Sequence, residues 1–139
     1  TTQAHLLQQH FGDQALLTNE PSNGVIGKLV RLYLQKKEES TSPEALQMLF
    51  CADRLDHISR KIQPALAAGK TVISDRFALS TIAYAPEDWK EIFEHISQKI
   101  LQPDLTVFLR IDPKEALKRI DTRGEEKELF ESLEFLAKT

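Results

Sequence analysis

Residues 74–84 read SDRFALSTIAY, and this stretch opens on the pair Asp75-Arg76. A short apolar run at residues 71–74 comes just before the pair and follows a Gly-Lys turn, which predicts a buried strand. The acid and the arginine would then stand at the carboxyl end of that strand, where open α/β sheets bind ligands. A carboxylate there can hold a metal-bound water, and a guanidinium can bind a phosphate with two hydrogen bonds. Taken alone, an Asp-Arg pair is more often a surface salt bridge, so its surroundings must decide.

Strands and helices alternate on both sides of this stretch. The patterns predict helices over residues 2–11, 26–34, 43–57, 58–68 (with a break near Pro64), 79–84, 87–101, 114–120 and 128–138, and strands over residues 15–18, 71–74 and 105–111. The run LTVFLRI at residues 105–111 is the strongest strand signal. Ser42 is placed to cap the helix that Pro43 begins, and Asp112 stands at the positive end of another. Alternating strands and helices indicate βαβ units with a parallel sheet, and therefore an α/β fold.

Composition narrows the class of protein. A chain of 139 residues suits one domain, and a net charge of −3 argues against a general nucleic-acid binder. Cys51 is the one cysteine, so no internal disulfide can form, and no zinc-ligand spacing is present. No apolar run approaches a membrane span, and the first residues lack the layout of a signal peptide. These features predict a cytoplasmic protein with neither a nucleic acid nor a membrane as its partner.

Two places invite comparison with a phosphate-binding P-loop. Residues 68–71 (AGKT) look like the end of one, but Pro64 stands where a glycine is required, and a strand rather than a helix follows. At the other place, Thr1 and Thr2 head a helix with no strand or glycine loop before it. Thr1 fits the last hydroxyl position of G-x-x-x-x-G-K-[ST], which holds Mg²⁺. We therefore expect the glycines and the lysine of a P-loop to precede residue 1.

Six segments, taken in order, resemble the thymidylate kinase family of P-loop nucleoside monophosphate kinases. They are TTQAHLL (1–7), TNEPSNGVIGKLVR (18–31), LFCADRLDHI (49–58), SDRFALSTIAY (74–84), QPDLTVFLRIDPKEALKRI (102–120) and RGEEKELFESLEF (123–135). The resemblance implies a three-layer P-loop kinase fold, with a central parallel sheet flanked by helices. Residues 1–139 would form a single domain with a lid at about 119–128, the P-loop lying before residue 1 and the last helices and strand not present. Residues 85–101 look short for the family, so we expect a break in the chain near Tyr84–Ala85.

The resemblance also implies roles for the residues around the Asp-Arg pair. Phe50 would stack on the thymine, and Arg54, one helical turn later, would donate to a base carbonyl. Arg76 would bind the dTMP phosphate, and Asp75 would lie near Mg²⁺ or its waters. Without the resemblance, core packing is the better explanation of Phe50, and solvation the better explanation of Arg54.

The remaining acceptor-site roles fall on two segments. Ser80 and Thr81 lie one turn after the Asp-Arg pair, and Thr81 occupies a base-contacting position where some family members carry an amide. Tyr84 would lie beneath the sugar and help to exclude a 2′-hydroxyl. Glu20-Pro21 resembles the Glu-Pro turn of the family, which shapes the acceptor phosphate site. Asn19 stands where the family usually has an arginine, so one phosphate contact is in doubt.

On the donor side, the resemblance assigns ATP binding to Thr1, Thr2 and Arg119, with Thr1 also a Mg²⁺ ligand. Arg123 would contact the ATP phosphates during transfer, and Glu131 the acceptor sugar. The implied reaction is ATP-dependent phosphorylation of dTMP to dTDP for dTTP biosynthesis, by a homodimer. A deoxynucleoside kinase is one alternative, and a non-catalytic nucleotide-binding remnant, if the P-loop is absent, is another.

Overall fold

The computed structural model describes residues 2–38, 41–124 and 126–138. The described residues form helices and two parallel strands, which agrees with the predicted α/β class. The elements are α1 (Thr2–Phe11), β1 (Ala15–Asn19), α2 (Val25–Leu34), α3 (Pro43–His57), α4 (Gln63–Ala67), β2 (Thr71–Asp75), α5 (Ala78–Tyr84), α6 (Lys90–Gln98), α7 (Pro113–Arg123) and α8 (Leu133–Lys138). Single 3₁₀ turns, Gly12–Gln14 and Glu87–Trp89, precede β1 and α6.

The strands β1 and β2 pair in parallel, with Ala15 opposite Thr71 and Asn19 opposite Asp75. Parallel neighbours need a long crossover, and here the helices α2 to α4 supply it. Gly69 makes the turn into β2 with a φ of +74°, a value that glycine adopts without strain. The AGKT stretch is therefore a turn that feeds a strand, which confirms that it is not a P-loop.

The longest helical run begins at α3. The Ser42 hydroxyl accepts a hydrogen bond from the Ala45 N–H at 3.2 Å, which confirms the predicted cap. The helix does not end at His57, because the π-helical turn Ile58–Ile62 continues it into α4. The break expected near Pro64 was wrong: this proline lies in the first turn of α4, directly after the π-helical turn, and the helical run continues through it.

The strand predicted at residues 105–111 was wrong. These residues form no strand, and Leu105, Val107 and Phe108 are 80%, 66% and 82% exposed. The sheet among the described residues consists of β1 and β2, so this segment has no neighbour to receive its backbone hydrogen bonds. An apolar β-branched run shows that a segment is suited to burial in a sheet, but a strand also needs a partner.

Two other boundaries differ from the expectation. The helix predicted over residues 128–138 is confined to α8, because turns occupy the residues before it. The chain also runs directly from Tyr84 into Ala85, where the Ala85 N–H donates to the Ile82 carbonyl at 3.4 Å and ends α5. The break expected there is not seen.

The apolar core lies on two sides of α3. One cluster joins α2 to α3 through Val30, Leu34 and Leu46. The other joins α3 to α6 through Cys51, Ala85 and Phe93. In the described part of the chain, we find no helix with the length and apolar character needed to cross a membrane. Because both clusters use α3, this helix is fixed against the rest of the fold, and its polar residues are fixed with it.

Candidate active site

The carboxyl ends of β1 and β2 bring two sequence-predicted segments together. Asn19 and Asp75 are the last paired residues, and the Glu20 N–H donates to the Asp75 carbonyl at 3.1 Å. The Glu-Pro turn and the Asp-Arg pair therefore lie side by side at one edge of the sheet. This is the edge at which parallel sheets bind their ligands.

Arg76 leaves this edge in an unusual backbone conformation. Its φ is +71°, in the left-handed region that non-glycine residues rarely adopt and that is enriched at functional sites. Its side chain is exposed, and Nη1 donates to the Tyr84 hydroxyl at 2.7 Å. The guanidinium also lies 5.5 Å from the centroid of the Tyr84 ring. Arg76 thus carries a solvent-facing positive charge whose direction is set by an aromatic residue of α5.

The loop after β1 is held by side chains from two helices. Asp53 of α3 accepts from the Ser22 N–H at 2.6 Å and from the Ser22 hydroxyl at 2.5 Å, and its carboxylate is buried. Arg31 of α2 donates to the carbonyls of Pro21 and Ser22 and to the side chain of Asn23. These contacts give residues 20–24 a fixed shape before any ligand arrives.

Beneath this loop, Arg54 is buried in an ion pair. Its Nε lies 2.7 Å from Glu20 Oε2, and both side chains are 2% exposed. Its Nη2 donates to the Thr81 hydroxyl at 3.0 Å, and its guanidinium lies 5.2 Å from the centroid of the Phe77 ring. A charge buried this deeply is tolerated only when it is paired and hydrogen-bonded, as Arg54 is.

The other oxygen of Glu20 contacts His57, the last residue of α3. His57 Nδ1 lies 3.3 Å from Glu20 Oε1, and Nε2 lies 2.8 Å from the Thr18 hydroxyl. All three side chains are buried. Cys51, one turn before Arg54, lies close to this pair: burial raises the pKa of its thiol, more than Arg54 lowers it, and Glu20 adds to the rise. The thiol therefore stays protonated and unreactive.

Aromatic residues adjoin this polar network. Phe50 is half-buried and packs, with Phe130, against the cluster of Val30, Leu34 and Leu46. Tyr84 contacts Phe130 and Phe135, with ring centroids 5.0 and 5.3 Å apart. The segment that follows the predicted lid is therefore packed against α5 and against the residues proposed for the base site.

The predicted lid arginines lie on one face of α7. Glu115, Lys118, Arg119, Thr122 and Arg123 line a shallow groove there of about 430 Å³. Arg119 pairs with Glu115 one turn earlier at 3.0 Å. Arg123 Nη2 donates to both carboxylate oxygens of Glu131, at 3.0 and 2.8 Å. The face is mainly basic, as a surface for polyphosphate would be.

The structure brings some of the predicted site residues together and not others. Glu20, Pro21, Arg54, Thr81 and Tyr84 gather with Asp75 and Arg76 at the sheet edge or directly beneath it. Ser80 is half-buried, and its N–H donates to the Phe77 carbonyl. Thr2 is exposed at the start of α1, and Thr1 lies outside the described residues.

Sequence reasoning missed the internal partners of this site. It assigned no role to Thr18, Ser22, Arg31, Asp53 or His57, all of which position the loop or Arg54. A signal was available: Gln47, Arg54 and His57 recur at helical spacing on the buried face of α3. Polar residues on a buried helix face need partners, so the pattern indicates a network without naming its other half.

One side chain at the sheet edge, the carboxyl of Asp75, has the oxygen-donor chemistry that Mg²⁺ prefers. Asp75 supplies a half-buried carboxyl at this edge, and Mg²⁺ usually binds one or two carboxylates together with substrate phosphates. Among the residues that the structure describes, no three His, Cys, Asp or Glu side chains cluster to form a protein-only metal site.

Comparison with known proteins gives a consistent result. The sequence model of the family described as thymidylate kinase matches residues 1–139. The chain is 38% identical, over 136 residues, to a protein of Pyrococcus horikoshii named "Probable thymidylate kinase", covering 89% of this chain and 65% of that protein. It is 41% identical, over 140 residues, to one of Methanococcus maripaludis with the same name, covering 99% and 66%.

A solved structure agrees with the sequence comparisons. The thymidylate kinase of Candida albicans superimposes with a TM-score of 0.79 at 29% identity, covering 99% of this chain and 67% of that chain. The chain spans 65% and 63% of the length of the relatives from Pyrococcus horikoshii and Pyrobaculum aerophilum. The fold class predicted from the sequence, an α/β P-loop kinase fold, is confirmed.

Proposed function

The chain belongs to the thymidylate kinase family, and from this premise we propose that it carries the acceptor site and lid of an enzyme that transfers the γ-phosphoryl group of ATP to dTMP. The product would be dTDP, a precursor of dTTP. The reaction class is phosphoryl transfer to a nucleoside monophosphate, in which the acceptor oxygen is already anionic. No strong general base is then needed, and positioning and charge neutralisation supply most of the catalysis.

One observation carries the proposal. The Glu20–Asp75 backbone hydrogen bond joins the acceptor loop to the Asp-Arg pair, so that exposed Arg76 stands beside a loop with a fixed shape. An anion that approaches this edge meets a preformed positive charge. A dTMP phosphate bound to Arg76 would have its charge partly neutralised, which lowers the repulsion between it and ATP.

The base and sugar would lie between α3 and α5. Phe50 would stack on the thymine, and Arg54, held by Glu20 and Thr81, would donate to a carbonyl of the base. Tyr84 would support the sugar and exclude a 2′-hydroxyl. Thr81 and Ser80 of α5 would border the base, and Pro21 would close the phosphate end of the pocket.

ATP would approach from the α7 side. Arg119 and Arg123 lie on one face of that helix and would contact the donor phosphates, after Arg123 leaves its ion pair with Glu131. Glu131 would then be available to the acceptor sugar. ATP would bring Mg²⁺ on its phosphates, and Asp75 would hold the ion through water. Thr1 and Thr2 remain our proposed residues for the P-loop end of the donor site.

The proposal extends to the domain organisation, the oligomeric state and the compartment of the protein. We propose a single domain over residues 1–139 with a lid at about 119–128. Met48 and Leu55 are 37% and 53% exposed and lie seven residues apart on one face of α3, a surface suited to a homodimer seam. We propose the cytoplasm as its compartment, because the proposed substrates are soluble nucleotides.

The test is an assay of ADP release in the complete protein with a panel of nucleoside monophosphates, of which dTMP should be the preferred acceptor. Arg76→Ala should lower kcat/KM for dTMP at least about tenfold, since a hydrogen bond from a charged group contributes about 1.5–3 kcal/mol. Arg60→Ala is the matched control, because Arg60 is exposed on the surface and pairs with Asp56. Near-normal turnover by Arg76→Ala, or the absence of transfer to dTMP in the parent, contradicts the proposal.

A further inference from the structure

His57 ends α3 within the buried network and has no role in the proposed reaction. Its side chain is 2% exposed, and each ring nitrogen faces one polar group: Nδ1 faces Glu20, and Nε2 faces Thr18. Both contacts link α3 to the end of β1 and the residue after it. Many residues separate Thr18 and Glu20 from His57 in the sequence, so the tertiary fold brings these side chains together.

The chemistry of the two partners decides where the imidazole carries its proton. A carboxylate only accepts hydrogen bonds. One oxygen of Glu20 already accepts from Arg54 at 2.7 Å, and the other faces His57 Nδ1. Nδ1 must therefore be the protonated nitrogen. In the neutral ring, Nε2 then accepts from the Thr18 hydroxyl, which has a hydrogen to donate.

Glu20 is thus held at both oxygens. Arg54 binds Oε2 and His57 binds Oε1, so the plane of the carboxylate is fixed by two groups on the same helix face, three residues apart. Without the His57 contact, the carboxylate could rotate about its last bond, and the guanidinium of Arg54 would lose its fixed direction. The Thr81 hydroxyl, at 3.0 Å from Nη2, and the Phe77 ring would then orient Arg54 without a fixed carboxylate.

We infer that His57 is a positioning residue for base selection: it orients Glu20, which in turn aims Arg54 at the acceptor base. The inference rests on the proposed function, because it takes Arg54 to be the residue that contacts the base. Thymine presents a carbonyl oxygen at the position where cytosine presents an amino group. An arginine held in a fixed direction can donate to the thymine carbonyl but disfavours the cytosine amino group, because two donors cannot pair.

Two substitutions of one residue separate the contacts. An asparagine amide nitrogen lies near the position of Nδ1, and a glutamine amide nitrogen near that of Nε2. His57→Asn should therefore keep the donor to Glu20 and lose the contact with Thr18, and His57→Gln should do the reverse. The measured quantity is the ratio of kcat/KM for dTMP to that for dCMP in the complete protein.

We expect His57→Gln to reduce this ratio by about three- to tenfold, the range that follows from the loss of one hydrogen bond, and His57→Asn to retain most of it. His95→Gln is the matched control, because His95 is exposed on α6. Equal ratios in both His57 variants overturn the inference. A parent that transfers no phosphoryl group to dTMP contradicts the proposed function instead.

A second measurement needs no variant. The ¹⁵N shifts of the His57 ring in the parent report which nitrogen carries the proton, and the inference requires the proton on Nδ1. A neutral ring with its proton on Nε2 overturns it, even if His57→Gln fails to fold or the parent proves inactive. A proton on Nδ1 whose signal shifts when Glu20→Gln is introduced supports the contact.

Discussion

Replacing Glu20 by glutamine tests how far the fold depends on the buried pair with Arg54. The glutamine keeps the shape of the side chain and removes its charge, which leaves a guanidinium that is 2% exposed without its counter-charge. Removing one partner of a buried ion pair costs about 3–5 kcal/mol. We expect a loss of about 3 kcal/mol, at the low end of this range because the amide oxygen can still accept from Nε, although the amide nitrogen cannot accept from His57 Nδ1. A loss of this size is a large fraction of the 5–15 kcal/mol that stabilises a typical domain.

The assay is urea denaturation of four proteins: the parent, Glu20→Gln, Arg54→Met and the double variant. The free energy of unfolding comes from the midpoint and slope of each curve. The double variant should be more stable than the sum of the two single losses predicts, because the methionine leaves no buried charge behind. We expect a coupling energy of about 1–3 kcal/mol. Losses that add to within about 0.5 kcal/mol would refute the reasoning.

An exposed pair on the same helical run provides the control. Arg60 and Asp56 lie 2.5 Å apart, closer than the buried pair, but the arginine side chain is 78% exposed. Water screens such a pair, so a short distance alone gives little stability. Asp56→Asn should shift the urea midpoint far less than Glu20→Gln. Equal shifts would mean that distance, and not burial, determines the effect.

Three further predictions follow from single contacts. Tyr84→Phe keeps the ring contacts of α5 but removes the acceptor of the Arg76 hydrogen bond, so kcat/KM for dTMP should fall about three- to tenfold with an unchanged melting temperature. Ser42→Ala should lower the free energy of unfolding, measured by urea denaturation, by about 1 kcal/mol. In an NMR titration the same variant should raise the pKa of Glu44, because a hydrogen bond with Ser42 lowers it in the parent. The stability that Glu44 adds is lost as pH falls through that pKa. Cys51 should react with iodoacetamide at pH 8 only after unfolding, because burial raises the pKa of its thiol; rapid labelling of the native protein would contradict this.

Local sequence determined the elements whose signals lie within a few residues of one another. The Ser42 cap, the Asp112 cap of α7 and the turn at Gly69 were predicted, and each is present. The same holds for β2 and for the Asp-Arg pair at its end. Capping and turn formation depend on neighbouring backbone groups, so a short window of sequence contains the causes. The family could also be predicted from the sequence, because six short segments resemble it in the same order.

The segment at residues 105–111 shows where local reasoning ends. Its side chains suit a sheet interior, but a strand is stabilised by the neighbour that receives its hydrogen bonds. Whether such a neighbour exists is decided by the whole fold. Among the described residues β1 and β2 pair with each other, and Phe108 is left 82% exposed.

The candidate site also has residues that were predicted from the sequence and contacts that only the structure shows. From the sequence and its resemblance to the family, Glu20, Arg54 and Arg76 were predicted as site residues, and these roles stay predictions. Only the tertiary structure decided that Glu20 neutralises Arg54 across 34 positions and that His57 holds the other oxygen of Glu20 across 37. Burial makes these pairings obligatory, because a charge removed from water must find a partner inside the protein. A linear sequence shows that the partner is needed, and the packing of α3 against the end of β1 determines which residue it is.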